Sequence, residues 1–173
     1  METTKNKLPD KIEDFYRRLR EYLDTPLYFY GSVQRNDYIP GKSDIDVCLF
    51  SDNMKKTTTR LEHFLQIPSS HFKQFVFQDR YHRVYYGSKA MYHNAEMDFY
   101  GEFSIYNEKD KHFILRDKQA KITLPFYISW ALSFIKCLYY HCEIIDKKTY
   151  KQWKNRLLAF NNGYKTTPFV IID

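Results

Sequence analysis

Asp44 and Asp46 are separated by one residue and alternate with the apolar residues Ile45 and Val47. In an extended strand, alternate side chains share a side, so the two carboxylates stand about 6.6 Å apart at about 3.3 Å per residue. Like charges held this way repel, and burial adds to the penalty. A divalent cation between them reverses the balance. Hard carboxylate oxygens suit Mg²⁺, which takes one or two carboxylates together with substrate phosphates. Upstream, a Gly31-Ser32 pair follows the apolar run at residues 27–30, and eleven residues separate Ser32 from Asp44. Gly31 has no Cβ and lets its backbone approach an anionic group closely. Ser32 opens a predicted short helix whose first amides, with its hydroxyl, can bind phosphate oxygens. Arg35 and Lys42 lie between the two halves and can neutralise phosphate charge; a solvated surface role fits either residue equally well.

The ordered set resembles the active-site signature of the DNA polymerase beta-like nucleotidyltransferase superfamily. That signature is an apolar residue, Gly, Gly or Ser, roughly ten residues, then Asp, apolar, Asp or Glu, apolar. Tyr30, Gly31, Ser32, Asp44, Ile45, Asp46 and Val47 fill every position. The family also needs a third carboxylate downstream on a neighbouring strand, flanked by apolar residues. Met97-Asp98-Phe99 fits that description, with Glu96 on the same face as the alternative. The resemblance covers residues 27–100. It implies a metal-dependent enzyme that moves a nucleoside monophosphate from a nucleoside triphosphate, expected to be ATP, to a hydroxyl on an RNA end, a protein or a small molecule. It further implies two Mg²⁺ or Mn²⁺ ions, about 3.5–4 Å apart in sites of this kind, held by Asp44, Asp46 and Asp98. Asp98 would also help to activate the acceptor hydroxyl, while Gly31, Ser32, Arg35 and Lys42 face the triphosphate. Two other classes stay open: a non-catalytic nucleotide- or nucleic-acid-binding module, and a subunit active only within a larger assembly.

The bulk of the chain agrees with a globular enzyme. Its 173 residues suit a single nucleotidyltransferase domain spanning 1–173, and a hydrophobic fraction of 43% argues against wholesale disorder. A net charge of +6 favours anionic partners such as nucleotides or nucleic acid, although a lysine-rich solvated surface explains the same number. Cys48, Cys137 and Cys142 are odd in number and form no Cys-x-x-Cys pair, so neither a disulfide framework nor a zinc site is expected. The polar start of the chain and the lack of a long apolar span lead to the expectation of an intracellular, cytoplasmic protein with no membrane partner.

The elements that must carry these residues read as a mixed α/β (α+β) fold: a small mixed sheet flanked by helices over about 24–105, then a helical part over about 123–162. Ile12, Phe15, Tyr16, Leu19, Tyr22 and Leu23 recur at helical spacing within 11–23, with Asp10 and Glu13 as a capping box. Strands are predicted at 27–30, 44–50, 72–78, 83–86 and 96–100, with a helix over 53–66 and turns at Gly87-Ser88 and His93-Asn94. Thr123 is expected to cap one C-terminal helix, with Ile128, Ala131, Leu132, Ile135, Leu138, Tyr139 and Cys142 facing inward. Asp146 is expected to cap another, bearing Tyr150, Trp153, Leu157 and Leu158 on one face and ending at Asn161-Asn162-Gly163. The last helix carries Lys147, Lys148, Lys151, Lys154 and Arg156, a solvated face or a contact for a polynucleotide backbone. Residues 169–172 close the chain as a short strand or a docked tail.

Overall fold

The structure, a computed structural model, describes residues 1–79, 81–162 and 169–172. The elements run α1 (Asp10–Leu23), β1 (Tyr28–Tyr30), β2 (Ile45–Ser51), α2 (Met54–Leu65), β3 (Lys73–Gln78), β4 (Val84–Asn94), β5 (Phe99–Asn107), α3 (Lys111–Ile122), α4 (Phe126–Tyr140), α5 (Lys147–Asn162) and β6 (Phe169–Ile172). They build one mixed sheet in the order β1-β2-β5-β4-β3-β6. Every described pairing is antiparallel except β2 with β5, which is parallel. The chain leaves β2, crosses through α2, and returns by the β3 and β4 strands to lay β5 beside β2.

Alternation along β2 decides which residues meet which layer. Ile45, Val47 and Leu49 enter the core shared with α1 and α2, where Phe15, Tyr16, Leu19 and Leu61 pack. Cys48 and Phe50 face the opposite layer with Tyr28, Tyr30, Tyr106 and Ile114 of α3. Asp46 takes its side from that second set, because it alternates with Ile45 and Val47. The motif strand is therefore apolar on one face and carries its acid on the other.

Several boundaries depart from the expected ones. In α1, Pro9 occupies the N-cap with no side-chain bond, and Asp10 is already helical, so the expected capping box does not form. The acids Asp10 and Glu13 instead sit in the first turn, where the helix dipole favours them. Tyr22 is exposed rather than part of the buried stripe, lying under the guanidinium of Arg60. Gly87-Ser88 is not a turn: β4 runs straight through it, and a Cβ on Gly87 would fall 2.5 Å from the ring of Phe75. Thr123 ends α3 rather than capping α4, whose N-cap is Pro125. Asp146 does cap α5, accepting from the Thr149 amide at 3.1 Å. On α4, Ile128, Leu132 and Lys136 are buried while Cys142, beyond its end, is exposed; on α5, Tyr150 is buried and Trp153 exposed. The expected stop at Gly163 lies outside the described residues. Among the described residues, no single helix is long and apolar enough to cross a membrane.

Candidate active site

Gly31 and Asp46 are in contact. Gly31 has φ of +71°, and a Cβ built on it would lie 1.8 Å from Asp46 Oδ2. Only a hydrogen fits there, in a backbone region that L side chains rarely adopt. The Gly-Ser turn and the motif strand thus converge through β1, where Tyr30 pairs with Asp46. The turn itself, Gly31–Gln34, is a single 3-10 turn of four residues rather than the expected helix. Ser32 is buried in it, and its hydroxyl donates to the Asp44 carbonyl at 3.5 Å, tying the two halves of the signature together.

Asp44 stands just before β2 and is exposed; Asp46 lies one pleat into the strand and is partly buried. The Asp46 carboxyl is pushed up to about 7, first by burial and then by the charge of Glu102, with Lys154 opposing and Asp44 adding to the rise. Asp44 is raised too, by burial first, against the pull of Lys154. Two carboxyls that resist ionisation side by side are what a cation would relieve.

The third acid at this point is Glu102. The parallel register of β2 and β5 sets Glu102 directly opposite Asp46. The expectation for Asp98 is corrected: it lies in the hairpin turn at residues 95–98, with φ of +45°, before β5 begins at Phe99. Asp98 precedes Glu102 by four positions, at most about 13 Å at strand spacing. The same turn holds Glu96, and it is pinned by Asn94 Oδ1 accepting from the Met97 amide at 2.9 Å. Glu102 is held from two sides. The Tyr30 hydroxyl donates to Oε1 at 3.2 Å, and Lys89 Nζ donates to Oε2 at 3.4 Å. Burial, then Glu102 and Asp46, push the Tyr30 phenol well above its usual range, so it stays a donor. A signal for Glu102 was present in the alternation Phe99, Gly101, Phe103, Ile105 against Tyr100, Glu102, Ser104, Tyr106.

The cations are also redistributed. Arg35 does not face the acids. It is buried and bonded to Asp37 through Nε at 2.7 Å and Nη2 at 3.1 Å, and Lys136 completes the cluster at 3.1 Å from Asp37 Oδ2. Arg35, expected to face the triphosphate, thus has its guanidinium engaged by Asp37 in a buried ion pair. Lys42 is exposed, in a turn where its amide donates to the Ile39 carbonyl at 3.2 Å. Lys154 of α5 and Lys118 of α3 both lower the Asp46 carboxyl electrostatically, Lys118 lying 3.7 Å over the Tyr30 ring. Lys147 acts on Asp44 in the same sense.

The side chains here are of the chemical kind that Mg²⁺ and phosphate take. The acids present hard oxygens at one strand mouth, the backbone at Gly31 is stripped to a hydrogen, and flanking lysines carry the opposite charge. Among the described residues, no three His, Cys, Asp or Glu side chains are gathered closely enough to hold a metal ion by themselves. An open arrangement of this kind matches the way Mg²⁺ is shared between few carboxylates, water and phosphate oxygens.

The profile of the nucleotidyltransferase domain family matches residues 10–156. Among solved structures, the non-canonical poly(A) polymerase complex GLD-2–GLD-3 is similar over 82% of this chain and 49% of its own, at 15% identity and a TM-score of 0.37. The GLD-2/RNP-8 complex is similar over 87% of this chain and 57% of its own, at 12% identity and a TM-score of 0.40. The chain thus spans about half the length of these structures. No curated protein sequence matches it significantly.

Proposed function

This chain belongs to the nucleotidyltransferase domain family, and we propose that it transfers a nucleoside monophosphate from a triphosphate to a hydroxyl at the site formed by Gly31, Asp44, Asp46 and Glu102. The observation that carries this reading is the contact between Gly31 and the Asp46 carboxylate with Glu102 opposite. It sets the two halves of the signature side by side, with an acid opposite Asp46 in the parallel register.

In the reaction the acceptor oxygen bonds to the α-phosphorus while the bond from that phosphorus to pyrophosphate breaks. Asp44, Asp46 and Glu102 would hold divalent ions, which when bound neutralise charge on the attacking and departing oxygens. Gly31, with no Cβ, lets the Asp46 carboxylate lie directly against the phosphate-side backbone turn. Lys154 and Lys118, already within electrostatic reach of Asp46, offset the charge of the triphosphate and of the released pyrophosphate. Glu102, fixed by Tyr30 and Lys89, takes the part expected of Asp98 and receives the acceptor proton.

The acceptor we propose is a polyanion with a terminal hydroxyl, such as an RNA 3′ end. Helix α5 supports this: Lys147, Lys148, Lys151, Lys154 and Arg156 lie along it with no acidic residue, and two of these lysines act on the site acids. The test supplies each of the four triphosphates, ATP first, with Mg²⁺ or Mn²⁺ and with RNA, protein or small-molecule acceptors, and follows pyrophosphate. Release of pyrophosphate with labelled RNA is expected, and it should vanish in Asp46→Ala. Labelling of protein alone would replace the acceptor. Nucleotide uptake without pyrophosphate release under every condition would leave a binding module and refute catalysis.

A further inference from the structure

Lys136 is the most deeply buried lysine among the described residues, at 3% exposed, and it sits on α4, far from the signature in sequence. Its ammonium donates to the Asp37 carbonyl at 2.5 Å and to Ser43 Oγ at 3.0 Å, spanning 99 and 93 residues of chain. It also pairs with Asp37 Oδ2 at 3.1 Å. Asp37 is in turn gripped by Arg35, and Ser43 Oγ accepts from the Ile39 amide at 3.1 Å. All four side chains are buried. Together they lock the stretch between Gly31-Ser32 and Asp44 at both ends. Ser43 is the residue that immediately precedes Asp44.

Buried charges are costly unless paired and hydrogen-bonded, and here Arg35 and Lys136 share the single Asp37 carboxylate, with Ser43 and a carbonyl taking the remaining Lys136 bonds. Here that arrangement specifies where the loop backbone lies. Asp44 stands outside β2, so the ladder that fixes Asp46 does not fix it; its backbone is held by Ser32 on one side and by the anchored Ser43 on the other. The other buried side chains of α4, Ile128 and Leu132, are apolar, which leaves Lys136 as the polar link from this helix to the motif loop.

From this geometry we infer that Lys136, acting through Asp37 and Ser43, is a positioning residue for Asp44. The C-terminal helical part would then set the metal-binding geometry of the sheet. The inference rests on the metal-dependent reading above and extends it to a residue outside the signature.

The test measures Mn²⁺ binding to the nucleotide-free protein by calorimetry, with circular dichroism to confirm folding well below the melting midpoint. Lys136→Met is expected to weaken Mn²⁺ binding at least tenfold, and Lys136→Arg, which keeps the charge, to recover part of it. Ser43→Ala leaves the charged cluster paired and is expected to weaken binding about threefold; it decides the matter if Lys136→Met does not fold. Turnover at saturating Mn²⁺ should fall less than turnover at limiting Mn²⁺. A folded Lys136→Met, or Ser43→Ala in its place, that binds Mn²⁺ with wild-type affinity would overturn the inference. Absence of binding by the wild type, or equal binding by Asp46→Ala, would instead refute the metal reading itself.

Discussion

Replacing Asp46 by Asn should kill transfer and at the same time stabilise the fold at alkaline pH. Burial and Glu102 raise the Asp46 carboxyl from its ordinary 3.8 to about 7. A carboxyl raised in this way binds its proton more tightly folded than unfolded. Between pH 3.8 and 7 the folded state thus carries the extra proton, and stability falls as pH rises through that window. At 1.36 kcal/mol per pH unit, the full cost of ionising Asp46 in the folded protein is about 4 kcal/mol. More than half of it falls between pH 5 and 8. Partial solvation of the carboxylate trims this to about 2 kcal/mol, a shift of about 4–8 °C in Tm for a chain of this size. Asn is nearly isosteric and never ionises, so the variant escapes the penalty. The assay is urea denaturation of wild type and Asp46→Asn at pH 5 and pH 8. The variant's advantage should grow by about 2 kcal/mol over that interval, and millimolar Mg²⁺ at pH 8 should narrow it by stabilising the wild type alone. Two stability curves that run parallel from pH 5 to 8 would refute the electrostatic reasoning.

Three further outcomes are expected. Gly31→Ala would press its methyl into the Asp46 carboxylate from a positive-φ backbone; transfer should drop at least about 100-fold, with a stability loss on the order of 1–3 kcal/mol by denaturant titration. Glu102→Gln should reduce kcat by at least about 100-fold, whereas Asp98→Asn, in the hairpin turn, should stay within about twofold of wild type; steady-state kinetics with matched Mg²⁺ decides between them. Arg35→Ala should act on stability, costing about 1–3 kcal/mol because the buried Asp37 carboxylate loses two charge-assisted hydrogen bonds while keeping its pair with Lys136. An Arg35→Ala protein of unchanged stability and raised KM for the triphosphate would restore Arg35 to the phosphate site.

Much of the site was legible because its parts are close in sequence. Asp44, Asp46 and the alternating Ile45 and Val47 declare a strand with one acidic face, and Gly31 declares a place where no Cβ fits. The missed pieces share a different character. A strand was expected at 96–100, where Glu96, Met97, Asp98 and Phe99 alternate acceptably, but Asn94 closes a turn there and β5 starts three residues later than that pattern suggests. Helix α3 gives no periodic signal, because its apolar residues do not fall into a clear stripe; Ile114 and Asp117 are its buried side chains. Lys154 looked like one more solvated lysine until α5 folded back toward Asp44.

By itself the order of residues determined that Asp46 would face away from Ile45 and Val47 on its strand, with Asp44 at the strand's start. Spacing inside a single strand is imposed by covalent geometry and needs nothing from elsewhere in the chain. Tertiary structure decided which acid joins them, which cations stay free of the core, and what holds the loop. Those outcomes depend on cross-strand register and on the cost of burying unpaired charge. Neither can be read locally: Glu102 comes opposite Asp46 because the β4–β5 turn takes up residues 95–98, and Arg35 is held inward by its two hydrogen bonds to the buried Asp37 carboxylate.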